Sequence, residues 1–256
     1  MPICNLIKSR TSGLRRVASR IAATCIALAA LASAASAMAI SKIENGRPGT
    51  ATYLLSGNVR EGDAARLGQA VDLLPAGTSV AVLLDSDGGD LIEGIRLGDY
   101  FHRSGIATFV AYDGRCHSAC SMAFLGGRDP RTGEPMRVKP ASAKLGFHQF
   151  RRNNHDPLKV YTKADIEKEI AETQRVTGEV VKYLQRVGDN LSKLQFMLRA
   201  PAESMHLVSN EDCLANGISV LDDATGQLTS PTTRRQQVSA LGSFSGSLSG
   251  LAHATR

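Results

Sequence analysis

Five consecutive apolar residues, Val80-Ala81-Val82-Leu83-Leu84, run straight into Asp85-Ser86-Asp87-Gly88-Gly89-Asp90 and then into a helix-spaced apolar pattern. No other feature of the chain narrows its fold as much. A strand apolar on both faces has to be covered on both, which is the condition of a strand inside a parallel sheet. The double glycine makes a tight turn, and Asp90 caps a helix whose Leu91, Ile92, Ile95, Tyr100 and Phe101 lie mostly on one side until Gly105 stops it. Ile106 to Ala111 is the next strand; upstream, Thr52-Tyr53-Leu54-Leu55 reads as a strand and residues 63–74 as a helix ended by Pro75-Ala76-Gly77. Strand and helix units alternating in this way predict an α/β fold with right-handed crossovers.

The turn after that third strand carries the chemistry. Asp113-Gly114 precedes Arg115-Cys116-His117-Ser118-Ala119-Cys120-Ser121, and an apolar run to Gly126-Gly127 follows, so Ser118 is expected where a loop becomes a helix. There its side chain meets the positive helix end, and the Ala119 N–H is one of the unpaired donors of every helix start. About thirty residues on, Lys144-Leu145-Gly146-Phe147-His148-Gln149 is a short strand bearing a candidate general base, His148. Gly88, Gly89 and Ala119 form the expected oxyanion set, because a backbone N–H closes on a developing oxyanion only where no Cβ blocks it. Ser121, one turn beyond Ser118, is the rival nucleophile. His117 is expected to point away from the site, since consecutive residues at a helix start diverge. No Gly-x-Ser-x-Gly elbow occurs, which argues against an α/β-hydrolase.

Taken together, these three segments resemble the proteolytic subunit of the caseinolytic (Clp) protease, within the Clp/crotonase superfamily. The family's Asn-Ser-Pro-Gly-Gly loop corresponds to Asp85-Ser86-Asp87-Gly88-Gly89, its serine helix to Ser118 through Gly126-Gly127, and its Met-Ile-His-Gln-Pro strand to Gly146-Phe147-His148-Gln149-Phe150. The similarity spans roughly residues 51–221. It implies a spiral of β-β-α units, a serine peptidase without an ATPase in cis, and self-association through the long helix. The third member of the triad departs from the pattern: the family's aspartate position is Met205. Glu203, Asp212 or a backbone carbonyl remain to orient His148, with Glu203 the nearest. The alternative reading is an inactive Clp-like pseudo-enzyme serving in oligomerisation or partner binding. An acyl-CoA enzyme of crotonase type has no use for the serine, and no cofactor is expected.

Composition bears mainly on location. Lys8, Arg10, Arg15, Arg16 and Arg20 precede an alanine-rich apolar run from Ile21, and Ala35-Ser36-Ala37 and Ala37-Met38-Ala39 both fit a small-x-small cleavage site. Residues 1–39 thus read as a bacterial export signal, or as an anchor if uncleaved, and imply a periplasmic or secreted domain over 40–222 with a low-complexity tail at 223–256. Those five basic residues take the formal +6 of the whole chain to +1, so neither nucleic acid nor an anionic membrane is suggested as a partner. A peptide or protein substrate and a homo-oligomer are.

Residues 128–143, rich in proline and charge, read as an exposed loop with a short β arm. A helical pattern from Ala164 to Arg199 breaks near Gly188-Asp189, Asn210 to Ala215 forms another helix, and Ile218-Ser219-Val220 is the last strand. Cys116 and Cys120 bracket Ser118 and are placed for a disulfide in an oxidising compartment, leaving Cys213 over. Unbridged small buried residues are the plainer alternative. Zinc held by Cys116, His117, Cys120 and Cys213 fits no common spacing.

Overall fold

A computed structural model describes residues 37–150, 158, 160–189 and 191–231. The basic region and apolar run of the expected export signal, and the chain beyond Pro231, lie outside the described residues. In order, the elements are β1 (Ala39–Ile43), β2 (Thr50–Ser56), α1 (Asp63–Asp72), β3 (Ser79–Asp85), α2 (Leu91–Ser104), β4 (Ala107–Val110) and β5 (Arg115–His117). There follow α3 (Ala119–Phe124), β6 (Arg137–Pro140), β7 (Lys144–Phe147), α4 (Lys163–Arg186), α5 (Ser192–Arg199), β8 (His206–Leu207), α6 (Asn210–Ala215), β9 (Ser219–Leu221) and β10 (Leu228–Thr229).

The fold is mixed α/β. The main sheet runs β1-β2-β3-β4-β6-β9-β10, parallel from β2 to β9 with antiparallel edges at β1 and β10. A smaller sheet, β5-β7-β8, pairs β5 parallel to β7 and β8 antiparallel to it. One bridge, Ser86 to Cys116, joins the end of β3 to β5 and so ties the double-glycine turn to the serine turn. Val82, Leu83 and Leu84 are almost wholly buried, as a strand covered on both faces requires. At the next helix Asp90 Oδ1 accepts from the Glu93 N–H at 2.8 Å, and Gly105 ends it with φ 63°.

Residues 128–143 match the expected exposed loop only over 130–135, behind the antiparallel Arg128–Pro135 bridge; the second half differs. It contains β6, an inner strand of the main sheet with all four residues buried. Arg137 and Lys139, part of the charge that marks this stretch as surface, lie inside and are hydrogen-bonded there. Arg137 Nη1 pairs with Asp189 Oδ2 at 2.5 Å, and its Nη2 donates to the Val187 carbonyl at 3.0 Å. Lys139 Nζ donates to the carbonyl of Pro140 and to Asn210 Oδ1 at 3.0 and 2.7 Å. Lys193 Nζ completes the cluster at 2.6 Å from Asp189 Oδ1. The bend at Gly188-Asp189 between α4 and α5 therefore delivers one carboxylate to two buried cations.

The folded unit also extends further than 40–222. Met38 is buried in the core beside Tyr53 and Leu55, β1 begins at Ala39, and the β9–β10 hairpin continues the sheet to Thr229. A turn built on Asp222 Oδ1, which accepts from the N–H groups of Ala224 and Thr225, closes that hairpin.

Helices α2 and α3 pack backbone to backbone. A Cβ on Gly94 would overlap the Ala119 carbonyl, and one on Gly98 would meet Met122 O and the Tyr183 hydroxyl. Tyr183, fully buried on α4, donates its O–H to Met122 O at 2.6 Å, and burial pushes its pKa far upward. The serine helix is thus clamped between α2 and α4.

Candidate active site

Ser118 is built on an unusual backbone. It lies between β5 and α3 with φ 55° and ψ −120°, one of only two non-glycine residues of positive φ among the described residues. A conformation of this kind costs on the order of 1–3 kcal/mol and persists only where the surroundings impose it. Two constraints impose it here. The Ser118 N–H donates to Gly146 O at 2.9 Å, which pins the residue to β7, and a disulfide joins Cys116 to Cys120 across it. Both sulfurs are fully buried, and with both engaged in this bond the zinc arrangement is not the one formed. Cys213 is a free thiol, buried, with its pKa pushed up to about 11 by that burial.

The Ser118 side chain makes no capping hydrogen bond and is half-buried. Ser121 is the opposite case. Its Oγ is fully buried and reaches Cys116 O at 2.8 Å and Gly146 O at 2.7 Å, so its one proton is shared between carbonyls of β5 and β7. Such a hydroxyl holds structure together and is closed to substrate.

Gly88 faces the serine. Its absent Cβ would sit 2.7 Å from Ser118 Cβ and 3.2 Å from the Ala119 N, so the space in front of that amide exists only because residue 88 is glycine. The Gly88 N–H, expected as an oxyanion donor, is instead taken by Ser86 Oγ at 3.0 Å. Gly88 supplies room, and the Ala119 N–H, first in its helix, is the candidate donor. Gly89 packs against Val59, where Val59 N donates to Gly88 O and Asp90 N to Val59 O, a ladder that leaves the Gly89 N–H without a bond among the described residues.

His148 follows β7 directly, two residues beyond the carbonyl that holds the Ser118 amide. The candidate nucleophile and candidate base therefore follow the ends of neighbouring strands of one sheet. No hydrogen bond among the described residues joins their side chains, and His148 Nδ1 is a buried atom with no partner. Register explains the vacancy: Phe147 pairs with His206, so the residue opposite His148 is Met205, whose thioether accepts no strong hydrogen bond. Glu203 does not reach that nitrogen and lies exposed on the turn from Pro201 to Ser204. Asp212 is occupied at the start of α6, where its carboxylate and amide both bond Ser209 Oγ at 3.0 Å.

His117 was expected to point away and does not. It ends a strand rather than starting a helix, aligned with Gly146 of β7, and its ring lies over that glycine. Its Nδ1 is 3.5 Å from Asp87 Oδ1, an oxygen that also takes Arg115 Nε at 2.9 Å. Burial lowers the His117 pKa, outweighing the nearby Asp87 carboxylate, which raises it. A clue lay in the sequence: Cys116 and His117 before Ser118 leave room for one short strand after Asp113-Gly114.

In comparisons with known proteins, no family model matches the chain and no curated protein matches its sequence.

Proposed function

We propose that this chain is an exported serine hydrolase of the Clp/crotonase-type spiral fold, a peptidase in which Ser118 is the nucleophile, His148 the general base and the Ala119 N–H an oxyanion donor. The observation that carries this reading is the positive φ of Ser118, held by a disulfide and by a strand hydrogen bond beside a glycine-made space. An uncapped, accessible serine under imposed strain is what a nucleophile requires and what a structural serine does not. In the reaction Ser118 Oγ attacks the scissile carbonyl, its proton passes to His148 Nε2, and the oxyanion settles against the Ala119 N–H. The proton then goes to the leaving amine, and water hydrolyses the acyl-enzyme by the same route. Labelling by a fluorophosphonate probe, with the modified residue located by mass spectrometry, tests this. Modification at Ser118 supports it.

A second reading has its own observation. His148 Nδ1 lacks a partner, so a non-catalytic Clp-like protein that keeps the fold for binding is favoured if the native, folded protein takes up no probe.

Export is proposed from the N-terminal pattern, with cleavage after Ala37. Met38 is 1% exposed in the core, so cleavage after Ala39 would discard a core side chain and the first residue of β1. Protein recovered from cells is expected to begin at Met38; an intact N-terminus in a carbonate-resistant membrane fraction would establish an anchor. Among the described residues no helix is long and apolar enough to cross a membrane.

Self-association is proposed through α4. Its last turns are buried at Val180, Tyr183 and Leu184, while Ile166 and Ile170 near its start are 52% and 53% exposed. Each exposed isoleucine forgoes roughly 1–2 kcal/mol of burial. An oligomer by light scattering, broken to monomers by Ile166→Glu with Ile170→Glu, is the expected result, and a monomeric parent at tens of micromolar would refute it. The largely exposed stretch 130–135, beside the Arg128–Pro135 bridge, is the second candidate contact.

A further inference from the structure

The catalytic reading leaves His148 without an orienting group, and the structure places another candidate within the same sheet. We propose that His117 is the positioning residue for His148: His148 Nδ1–H donates to His117 Nε2, and His117 Nδ1–H donates to the Asp87 carboxylate. This rests on Ser118 as nucleophile and His148 as base, and it replaces the acid that Met205 displaces.

Three observations carry it. Among the described residues, His117 Nε2 and His148 Nδ1 are buried side-chain polar atoms without a hydrogen-bond partner. An unpaired buried polar group costs about 1–3 kcal/mol, so two in one site call for a cause. One hydrogen bond between them, donor to acceptor, satisfies both.

Placement comes next. His117 is in register with Gly146, and His148 is two residues on, so strand alternation puts both side chains on one face of the small sheet. Diagonal neighbours on adjacent strands are about 8 Å apart at the backbone, a gap that two imidazole rings and a hydrogen bond cross. Gly146 keeps that face open: a Cβ there would stand 2.9 Å from His117 Cδ2 and 2.8 Å from Met205 Sδ. The His117 ring already leans over the strand that carries His148. The two rings are not bonded as they stand, and side-chain rotation past the flexible Met205 thioether closes the gap in the free protein.

The far end of His117 is the third. Its Nδ1 faces Asp87 Oδ1 at 3.5 Å, and Arg115 Nε holds that oxygen at 2.9 Å. Accepting at Nε2 requires a neutral ring. The groups that face His117 are Asp87 from the double-glycine turn, Arg115 on its own strand and Lys144 on β7; burial, helped by the two cations, outweighs Asp87 and favours the neutral ring. When Ser118 Oγ attacks a fluorophosphonate, the O–P bond forms, the P–F bond breaks and fluoride leaves, while the serine proton goes to His148 Nε2. His148 Nδ1 keeps its proton throughout. His117 and Asp87 hold the ring in that tautomer and stabilise the imidazolium.

The test combines labelling rates with ring nitrogen NMR, on variants that melt like the parent. His117→Ala should slow labelling of Ser118 roughly 100-fold, whereas His117→Gln, whose amide oxygen still accepts, should stay within several-fold of the parent. Adding Met205→Asp to His117→Ala should restore the rate by returning a carboxylate to the place opposite His148. In the NMR arm, His148 of the parent should be protonated at Nδ1, and His117→Ala should give a tautomer mixture. Parent-like labelling and an unchanged tautomer in His117→Ala overturn the proposal. Should the parent take up no probe, the proposed hydrolase fails and the tautomer measurement alone decides the role of His117.

Discussion

On the proposed reading, Ser118→Ala is expected to abolish covalent labelling and to lower hydrolysis by roughly 10⁴-fold or more, and Ser121→Ala to do neither. The contrast follows from where the two hydroxyls go. Ser118 is uncapped and half-buried against a glycine, so loss of its Oγ removes the attacking atom while the disulfide and the Gly146 bond keep the turn in place. Ser121 spends its hydroxyl on two carbonyls, and its removal strands buried acceptors on β5 and β7. Ser121→Ala should therefore cost about 1–3 kcal/mol in stability yet label like the parent at a temperature where both are folded. Labelling that survives Ser118→Ala would move the nucleophile elsewhere.

The second large effect belongs to stability. Asp189→Ala removes the one carboxylate between Arg137 and Lys193, all three side chains being 2% exposed, and should destabilise the fold by about 3–5 kcal/mol. Two uncompensated cations inside the domain are the reason, and the loss of a salt bridge as such is the smaller part. Replacing all three by apolar residues of similar size, Arg137→Met with Asp189→Leu and Lys193→Met, should recover most of the loss. Urea denaturation of the single and triple variants separates the two contributions. If Asp189→Ala melts within 1 kcal/mol of the parent, the cations have found water, and β6 is less enclosed than described.

Where the sequence was legible, local rules and tertiary needs agreed. Asp90 before an apolar helix pattern is a cap in both, α6 occupies Asn210–Ala215 as its flanking signals indicate, and the break at Gly188-Asp189 separates α4 from α5. Hydrophobic pattern failed where the core is charged. Arg137 and Lys139 make β6 look like surface, and only Asp189 and Asn210, 52 and 71 residues away in sequence, make it an interior strand. β1 was hidden for a different reason: its first residue lies within a signal-like segment, and Met38 has no local mark of burial. At the candidate site, Ser118 and Ala119 fall at the turn into α3 and His148 at the end of β7, where the turn and strand signals put them. The roles of Gly88 and His117 depend on hydrogen bonds and register, which have no imprint in a single sequence.

The covalent ring around Ser118 has a consequence for where the molecule can act. Cys116 and Cys120 join only in a compartment that oxidises thiols, and the bond closes over the residue with the costly dihedral. Under the reading proposed above, a chain still in the cytoplasm holds the same serine on a turn that keeps only its hydrogen bond to Gly146 and has lost the covalent constraint on its dihedral. Delivery then serves as the activation step that a removable pro-segment supplies in a zymogen, and the cell's own proteins meet the chain before its nucleophile is armed.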